Sequence, residues 1–425
     1  MVGHSDSARA TRQTRYGRAL LLGAFCLAVA HKVRGQDLFD RSENISVRDR
    51  PRPEYEALGI PIGTFELLPK LTLGAAYNDN ILVTESNHLS DSIFAIRPHL
   101  DIQSDWTVNK LDFTSGATFS RYTRHSDQDS DQYDFAATGE LDVNRDSTLT
   151  AQGAYARVLI PRGADEVFSV TPLLYDEASA RADLVTEFGH FKLTASGVFE
   201  HFYYEDGRSS TNKPIDESFQ DRDTTTATVR LDYAVEPQLA LFVEEKFSSS
   251  AYNRARARNQ SFADTLVGPN FEISRLMTAE LGVGYLTTSF SDPRAKPVGT
   301  FHARAKMLYY PTQLITLTLT ADRGVVDSGL PDTPAYVSTT ADLQADYELL
   351  RNLIITAKAG GIWDNYLVID RRDRYWSGEL SATYLANRGV GVVLSFNHLT
   401  RTSADTSGSR SLTDNQLSVA ITLQH

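Results

Sequence analysis

Cysteine is all but missing from this 425-residue chain, and its one thiol, Cys26, lies within the first 35 residues. A chain without a second cysteine forms no internal disulfide, and without the Cys26 segment it has no thiolate chemistry. Long apolar runs are also lacking, because after residue 30 no stretch reaches the roughly 18 apolar residues that a spanning helix needs. Short catalytic signatures are missing too. The ten histidines are scattered without an HExxH pair, and there is neither a GxSxG elbow nor a Walker loop. Zinc chemistry, nucleotide hydrolysis and local serine-hydrolase chemistry are therefore not expected, and no cofactor is implied.

The N-terminus carries a separate signal. Arg9, Arg12, Arg15 and Arg18 precede the short apolar core "ALLLGAFCLAVA" at residues 19–30. This is the shape of a secretory signal peptide over residues 1–35, with cleavage after Ala30 or after Gly35. Phe25, immediately before Cys26, speaks against a lipoprotein site, which wants a small residue there. Losing six bases and one acid moves the net charge from −12 to −17. So acidic an exported chain argues against nucleic acid as a partner.

What the sequence does contain is alternation. In "ITLTLTADRG" (315–324), Ile315, Leu317, Leu319 and Ala321 fall on one side of an extended chain, and Thr316, Thr318, Thr320 and Asp322 on the other. "LDFTSGATFSRY", "FKLTASGVF", "TATVRLDYAV", "NLIITAKAGGIWD" and "QLSVAITLQH" repeat the pattern down to His425. About 18 such segments follow Phe65, many of about 12 to 16 residues, well beyond the usual globular strand of about 5 to 6. Residues 36–63 are Pro-rich and charged and read as an irregular leader on the near side of the strands.

The connections alternate as well. Short ones fall near Arg145, Pro237, Pro311, Arg351 and Arg388, and longer polar ones at 125–132, 203–223, 289–297 and 401–410. Two classes of connection imply two ends in different surroundings. The reading is an all-β protein, a transmembrane antiparallel up-and-down β-barrel of about 18 strands over residues 64–425, with short periplasmic turns, longer extracellular loops and both termini on the short-turn side. Closure is required because an open edge in hydrocarbon strands its backbone polar groups. Tyr309, Tyr310, Tyr347, Trp363, Tyr375, Trp376 and Tyr384 are candidates for the interfacial aromatic belts. The acidic run 126–132 lacks the glycine and terminal glutamate of an EF-hand loop and reads as a solvated loop.

Parity assigns the inner row. It comprises Arg97, His99, Asp101, Asp112, Asp134, Glu140, Asp142, Lys192, Glu200, Arg230, Asp232, Glu244, Lys246, Arg304, Lys306, Asp322, Asp342, Asp346, Lys358, Asp364 and Glu379. Such a wall suits hydrated solute with a weak preference for cations, and many of its charges should pair across neighbouring strands. Three readings stay open: a polymer exporter with an uninterrupted bore, a diffusion porin with an inward-folded loop such as 203–223, and a non-conducting structural or adhesive barrel.

Residues 47–82, "VRDRPRPEYEALGIPIGTFELLPKLTLGAAYNDNIL", resemble the opening of the β-barrel porin family of proteobacterial outer membranes, down to its Tyr-[Asp/Asn]-x-Asn motif, here Tyr77-Asn78-Asp79-Asn80. The resemblance implies outer-membrane localisation in a Gram-negative bacterium, contact with lipid and lipopolysaccharide, and insertion by the barrel assembly machinery. Because such proteins are often encoded beside exopolysaccharide genes, it also implies a link to polysaccharide and its export apparatus. It supplies no catalytic residues, and the motif itself reads as a structural turn. One departure is the last residue, His425, where such barrels usually end in Phe or Trp.

Overall fold

A computed structural model describes residues 39, 44–162, 169–292, 296–405 and 408–425, so the expected signal segment lies outside the described residues. Eighteen long strands follow one another in the chain. They are β1 (Phe65–Asn78), β2 (Asp91–Ser104), β3 (Lys110–Tyr122), β4 (Ser130–Asn144), β5 (Ser147–Ile160) and β6 (Leu173–Phe188). Next come β7 (Phe191–Tyr204), β8 (Arg222–Glu236), β9 (Leu239–Tyr252), β10 (Gln260–Ile273), β11 (Met277–Phe290) and β12 (Val298–Thr312). The last six are β13 (Ile315–Asp327), β14 (Ala335–Leu350), β15 (Leu353–Tyr366), β16 (Arg372–Asn387), β17 (Val390–Asp405) and β18 (Gly408–Gln424). Each pairs antiparallel with its neighbour in sequence, and β1 pairs with β18 from Lys70↔Gln424 to Asn78↔Gln416. The sheet is a closed barrel with no free edge, and among the described residues helix is limited to three short 3-10 turns.

Alternation decides the two faces. Along β9, Leu241, Val243 and Phe247 are exposed, whereas Phe242, Glu244 and Ser248 are buried. The exposed row is the convex one, because the opposite row makes contacts that span several strands, such as Arg230 on β8 with Glu280 on β11 at 2.9 Å. Side chains three strands apart meet only on a concave wall. Eighteen strands spaced about 4.8 Å apart and tilted about 40° give a backbone diameter of roughly 35 Å, too wide for wall side chains alone to fill.

The turns obey the two-class pattern. One end carries tight reversals, among them 189–190, where Gly189 takes φ +58, which suits a residue without a Cβ. The other end carries long loops at 79–90, 161–172 and 205–221. Four boundaries differ from the sequence reading, the first being 289–297, whose Ser289 and Phe290 still belong to β11. Tyr203, Tyr204, Arg222 and Asp223 belong to β7 and β8, and Ser130 already begins β4. Most of 401–410 is strand, since β17 and β18 stay paired out to Asp405↔Gly408. Polar residues extend strands where both faces are wet, so their polarity alone imitates a loop.

Of the aromatic belt candidates, Tyr309, Tyr347, Trp363, Trp376 and Tyr384 stand on the outer row. Tyr310 and Tyr375 do not; both are buried on the inner row. Successive strand residues point to opposite faces, so only one member of Tyr309–Tyr310 or of Tyr375–Trp376 can face lipid.

The Tyr77–Asn80 motif is the staple of the seam. Asn78 Oδ1 accepts the Asn80 amide at 2.7 Å. Asn80, fully buried, donates through Nδ2 to the Thr413 carbonyl at 2.7 Å and to that of Thr84 at 2.9 Å. The Asp79 carboxylate accepts both the backbone and side-chain N–H of Asn415, at 2.8 and 2.7 Å. The first loop is thereby clamped to the last strand, and Tyr77 projects outward, half-exposed.

The two faces make opposite demands on charge. Val283→Arg, on the outer row at the middle of β11, is expected to cost about 2–4 kcal/mol of folding free energy in bilayers. Thr318→Arg on the inner row of β13 should stay within about 0.5 kcal/mol. Reversible urea unfolding in lipid vesicles measures both.

Candidate functional site: the lumen and its two mouths

Every inner-row charge named from parity stands on the concave wall. The densest group lies on β8–β12. Arg230 contacts Asp232 at 2.8 Å, Glu280 at 2.9 Å and Glu244 at 3.5 Å. Arg304 grips Glu244 with two bonds of 2.9 Å and reaches Glu280 at 3.3 Å. Both guanidinium groups sit over the Phe242 ring, at 4.1 and 5.9 Å. Beside them His302 bridges Asp264 at 2.8 Å and Asp322 at 3.6 Å. Farther round, Lys358 pairs with Glu379 at 3.2 Å, and the Asp346 carboxylate accepts from Thr356 and Gln344, both at 2.6 Å. Asp342 and Asp364 share this stretch of wall.

On the opposite wall His99 meets Asp101 at 3.0 Å and Lys110 meets Glu140 at 3.1 Å, whereas Lys192, which meets Glu187 at 3.3 Å, stands next to the dense group, directly across from Asp232. Arg97, Asp112, Asp134, Asp142 and Glu200 stand on the same face, as do Lys246, over the Phe262 ring, and Lys306. Glu280, Asp264, His302, Arg181 and Asp183 also face the lumen, although the inner row read from the sequence omits them. Their parity against Leu281, Val267, Phe301 and Ala182 was nonetheless available there. The wall is thus hydrophilic but largely self-neutralised. It offers hydrogen bonds to a passing solute more than a net field.

The short-turn mouth is lined by the leader. A short strand, Ile60–Ile62, folds back on the start of β1. Before it, residues 44–58 run as a collar along the inner side of the rim. Asn44 bonds the Arg275 carbonyl at the β10/β11 turn, and the Val47 amide donates to Thr316 Oγ1 at 2.9 Å on the inner row of β13. Arg351 donates to the Pro51 carbonyl at 2.9 Å, Arg388 to that of Pro53 at 3.0 Å, and Gln424 to that of Tyr55 at 3.2 Å. The anchor is Glu348 on β14, which takes Arg50 at 2.7 Å and Arg52 at 3.0 Å. Burial holds the Arg52 guanidinium below its usual range, against the opposing pull of Glu348. The collar thins the opening on that side by about one chain width, roughly 5 Å.

The long-loop mouth is drawn together by arginines. β8 and β13 are five strands apart, about 24 Å of wall, yet Arg222 and Asp327 approach to 3.4 Å. Arg258, in the β9/β10 loop, donates to the carbonyls of Leu330 (2.6 Å) and Ser328 in the β13/β14 loop. Its guanidinium lies over Phe219, from the β7/β8 loop, at 5.3 Å. That third loop is packed down, with Glu217 and Gln220 buried, and Arg254 donates to Ser218 Oγ at 2.8 Å. Burial raises the Asp221 carboxyl, which accepts the Tyr204 amide at 2.8 Å. Loops β3/β4, β5/β6 and β7/β8 are joined in turn through Gln128 to the Val170 carbonyl and Val170 to the Arg208 carbonyl, both at 2.7 Å. In the β5/β6 loop, burial pushes Arg162 down to about 10.

A closed antiparallel barrel with a greasy exterior and a wet, wide interior defines a porin-type channel of the outer membrane. The chain belongs to the family described as "Putative beta-barrel porin 2", whose profile matches residues 52–425. It is accordingly an outer-membrane, porin-like channel; its short-turn end is periplasmic and its long-loop end extracellular. No curated protein matches the chain. Among solved structures it is similar to OpdK of Pseudomonas aeruginosa, at 11% identity over 84% of this chain and 99% of that one, with a TM-score of 0.45. OccAB3 of Acinetobacter baumannii shows 13% identity over 86% and 100%, with a TM-score of 0.46. A BenF-like porin from Pseudomonas fluorescens Pf-5 shows 10% identity over 84% and 99%, again at 0.46.

Removing the Glu348 carboxylate leaves two arginines of the collar without their shared partner. Glu348→Ala is expected to loosen the docked leader by about 3–5 kcal/mol, as for a buried pair cut on one side. Hydrogen exchange over residues 44–58 reads the release, and single-channel conductance in planar bilayers should rise.

Proposed function

We propose that this barrel passes small hydrophilic solutes of sugar size, by diffusion, across the outer membrane. The observation that carries the reading is the pair of narrowed mouths on an otherwise wide, hydrophilic bore. The periplasmic opening is thinned by the leader collar, and the extracellular one is drawn in by Arg222–Asp327 and Arg258. The β7/β8 loop packs down toward the mouth, as a diffusion porin requires, and an uninterrupted bore is what a polymer exporter would need. The mutual neutralisation of the wall favours neutral, hydroxyl-rich cargo, with acids slightly in excess in the Arg230–Glu244–Glu280 group.

Export of an exopolysaccharide, implied by the family resemblance, is the second reading. The roughly 35 Å backbone diameter would accommodate a polymer strand if collar and loops swung aside. Purified protein in planar bilayers is expected to show ohmic, modestly cation-selective conductance that falls in steps as oligosaccharides of increasing length are added, until a cut-off length no longer enters. Conductance insensitive to sugar overturns the proposal. Blockade by long polymer without a cut-off, together with lost polymer secretion in a deletion strain, transfers the assignment to export. An absence of conductance transfers it to a structural barrel.

A further inference from the structure

Near the extracellular rim the outer wall carries arginines in three sectors, and two of them are balanced. On β3 and β4, Arg121 holds Asp131 at 2.6 Å. Beyond them, Arg157 on β5 holds Glu205, just past the end of β7, at 2.5 Å and lies 3.5 Å from Asp176 on β6. The third sector, on β13–β16, breaks the pattern. Arg323, Arg372 and Arg374 stand on the outer row, and none has a carboxylate partner among the described residues. Arg323 meets only the Thr339 hydroxyl, at 2.7 Å.

Register gathers these side chains. Arg323 pairs with Thr339, Thr339 with Trp363, and Trp363 with Arg374, one ladder row across four adjacent strands. Arg372 is one outward step nearer the rim. One outward step farther from the rim lies Trp376, exposed and edge-on to Trp363 at 5.2 Å and 87°. Both rings cover Gly361, where a Cβ would come within 2.7 Å of the Trp363 ring. Down the outer row of β16 the order is therefore Arg372, Arg374, Trp376, Gly378, Leu380: charge, then aromatic, then apolar.

That order matches a lipid from headgroup to tail. A guanidinium fork suits a phosphate bidentately, indole suits the membrane interface, and Leu380 suits acyl chains. In a chain this acidic, a patch of outward cations without acids selects an anion. We propose that this sector binds a phosphorylated glycolipid of the outer leaflet, with phosphate on Arg372 and Arg374, its sugar against Trp376 and its acyl chains along Leu380. Arg323 extends the cationic row toward a second phosphate.

The test uses the full chain in detergent, with bound lipid counted by native mass spectrometry after addition of bisphosphorylated lipid A, dephosphorylated lipid A, phosphatidylglycerol or inorganic phosphate. Bisphosphorylated lipid A is expected to bind best. The double variant Arg372→Gln/Arg374→Gln should need about tenfold more of it for equal occupancy, while Arg121→Gln, in a balanced sector, should match the parent. Heat-modifiable gel mobility reports folding, and the single variant Arg374→Gln serves if the double one does not fold. Equal occupancy in parent and folded variant overturns the site. Phosphatidylglycerol or inorganic phosphate binding as well as lipid A overturns the glycolipid assignment.

Discussion

The unpaired backbone edge is the constraint on which the rest of this molecule depends. A strand in hydrocarbon cannot leave its N–H and C=O groups to water, so each of the eighteen strands needs two neighbours. The pairing of β1 with β18 supplies the last of these. Long strands, strict parity and paired reversals all follow once the sheet must close around its own axis. Proline within the sheet is accommodated locally: at Pro269 the β10–β11 ladder skips a step, and Gly268 faces the Leu281 carbonyl where a Cβ would lie only 1.8 Å away.

Much of this was legible in the sequence because a barrel writes its faces with period two. The alternation of Ile315, Leu317 and Leu319 with threonine names the lipid and water sides without any tertiary information. Parity likewise placed Arg230, Glu244 and Lys358 on the inner row. It was less informative where both faces are wet, so residues 401–405 passed for loop although they extend β17. At Tyr310 and Tyr375 facing prevails over aromatic character, and both rings turn inward.

The mouths were not legible, for a different reason. Arg222 with Asp327, Arg258 with the Leu330 carbonyl, and Arg52 with Glu348 join residues 72 to 296 positions apart. No local pattern encodes such contacts. They depend on how the wall bends and how loops of unequal length lean over it. The composition of the leader gave no sign that its carbonyls would be held in succession by Arg351, Arg388 and Gln424. A barrel thus separates two kinds of information: the wall is encoded residue by residue, and the apertures by three-dimensional coincidence.

The Asp79–Asn415 and Asn80–Thr413 clamp has a consequence for biogenesis. It joins the loop after β1 to β18, so the fastening acts only once the chain has been made beyond residue 415. A chain cut short before residue 413 would keep most of its hairpins and lose the latch. Quality control at the membrane could therefore recognise an unfinished polypeptide by a single gaping join, with no need to inspect the remainder.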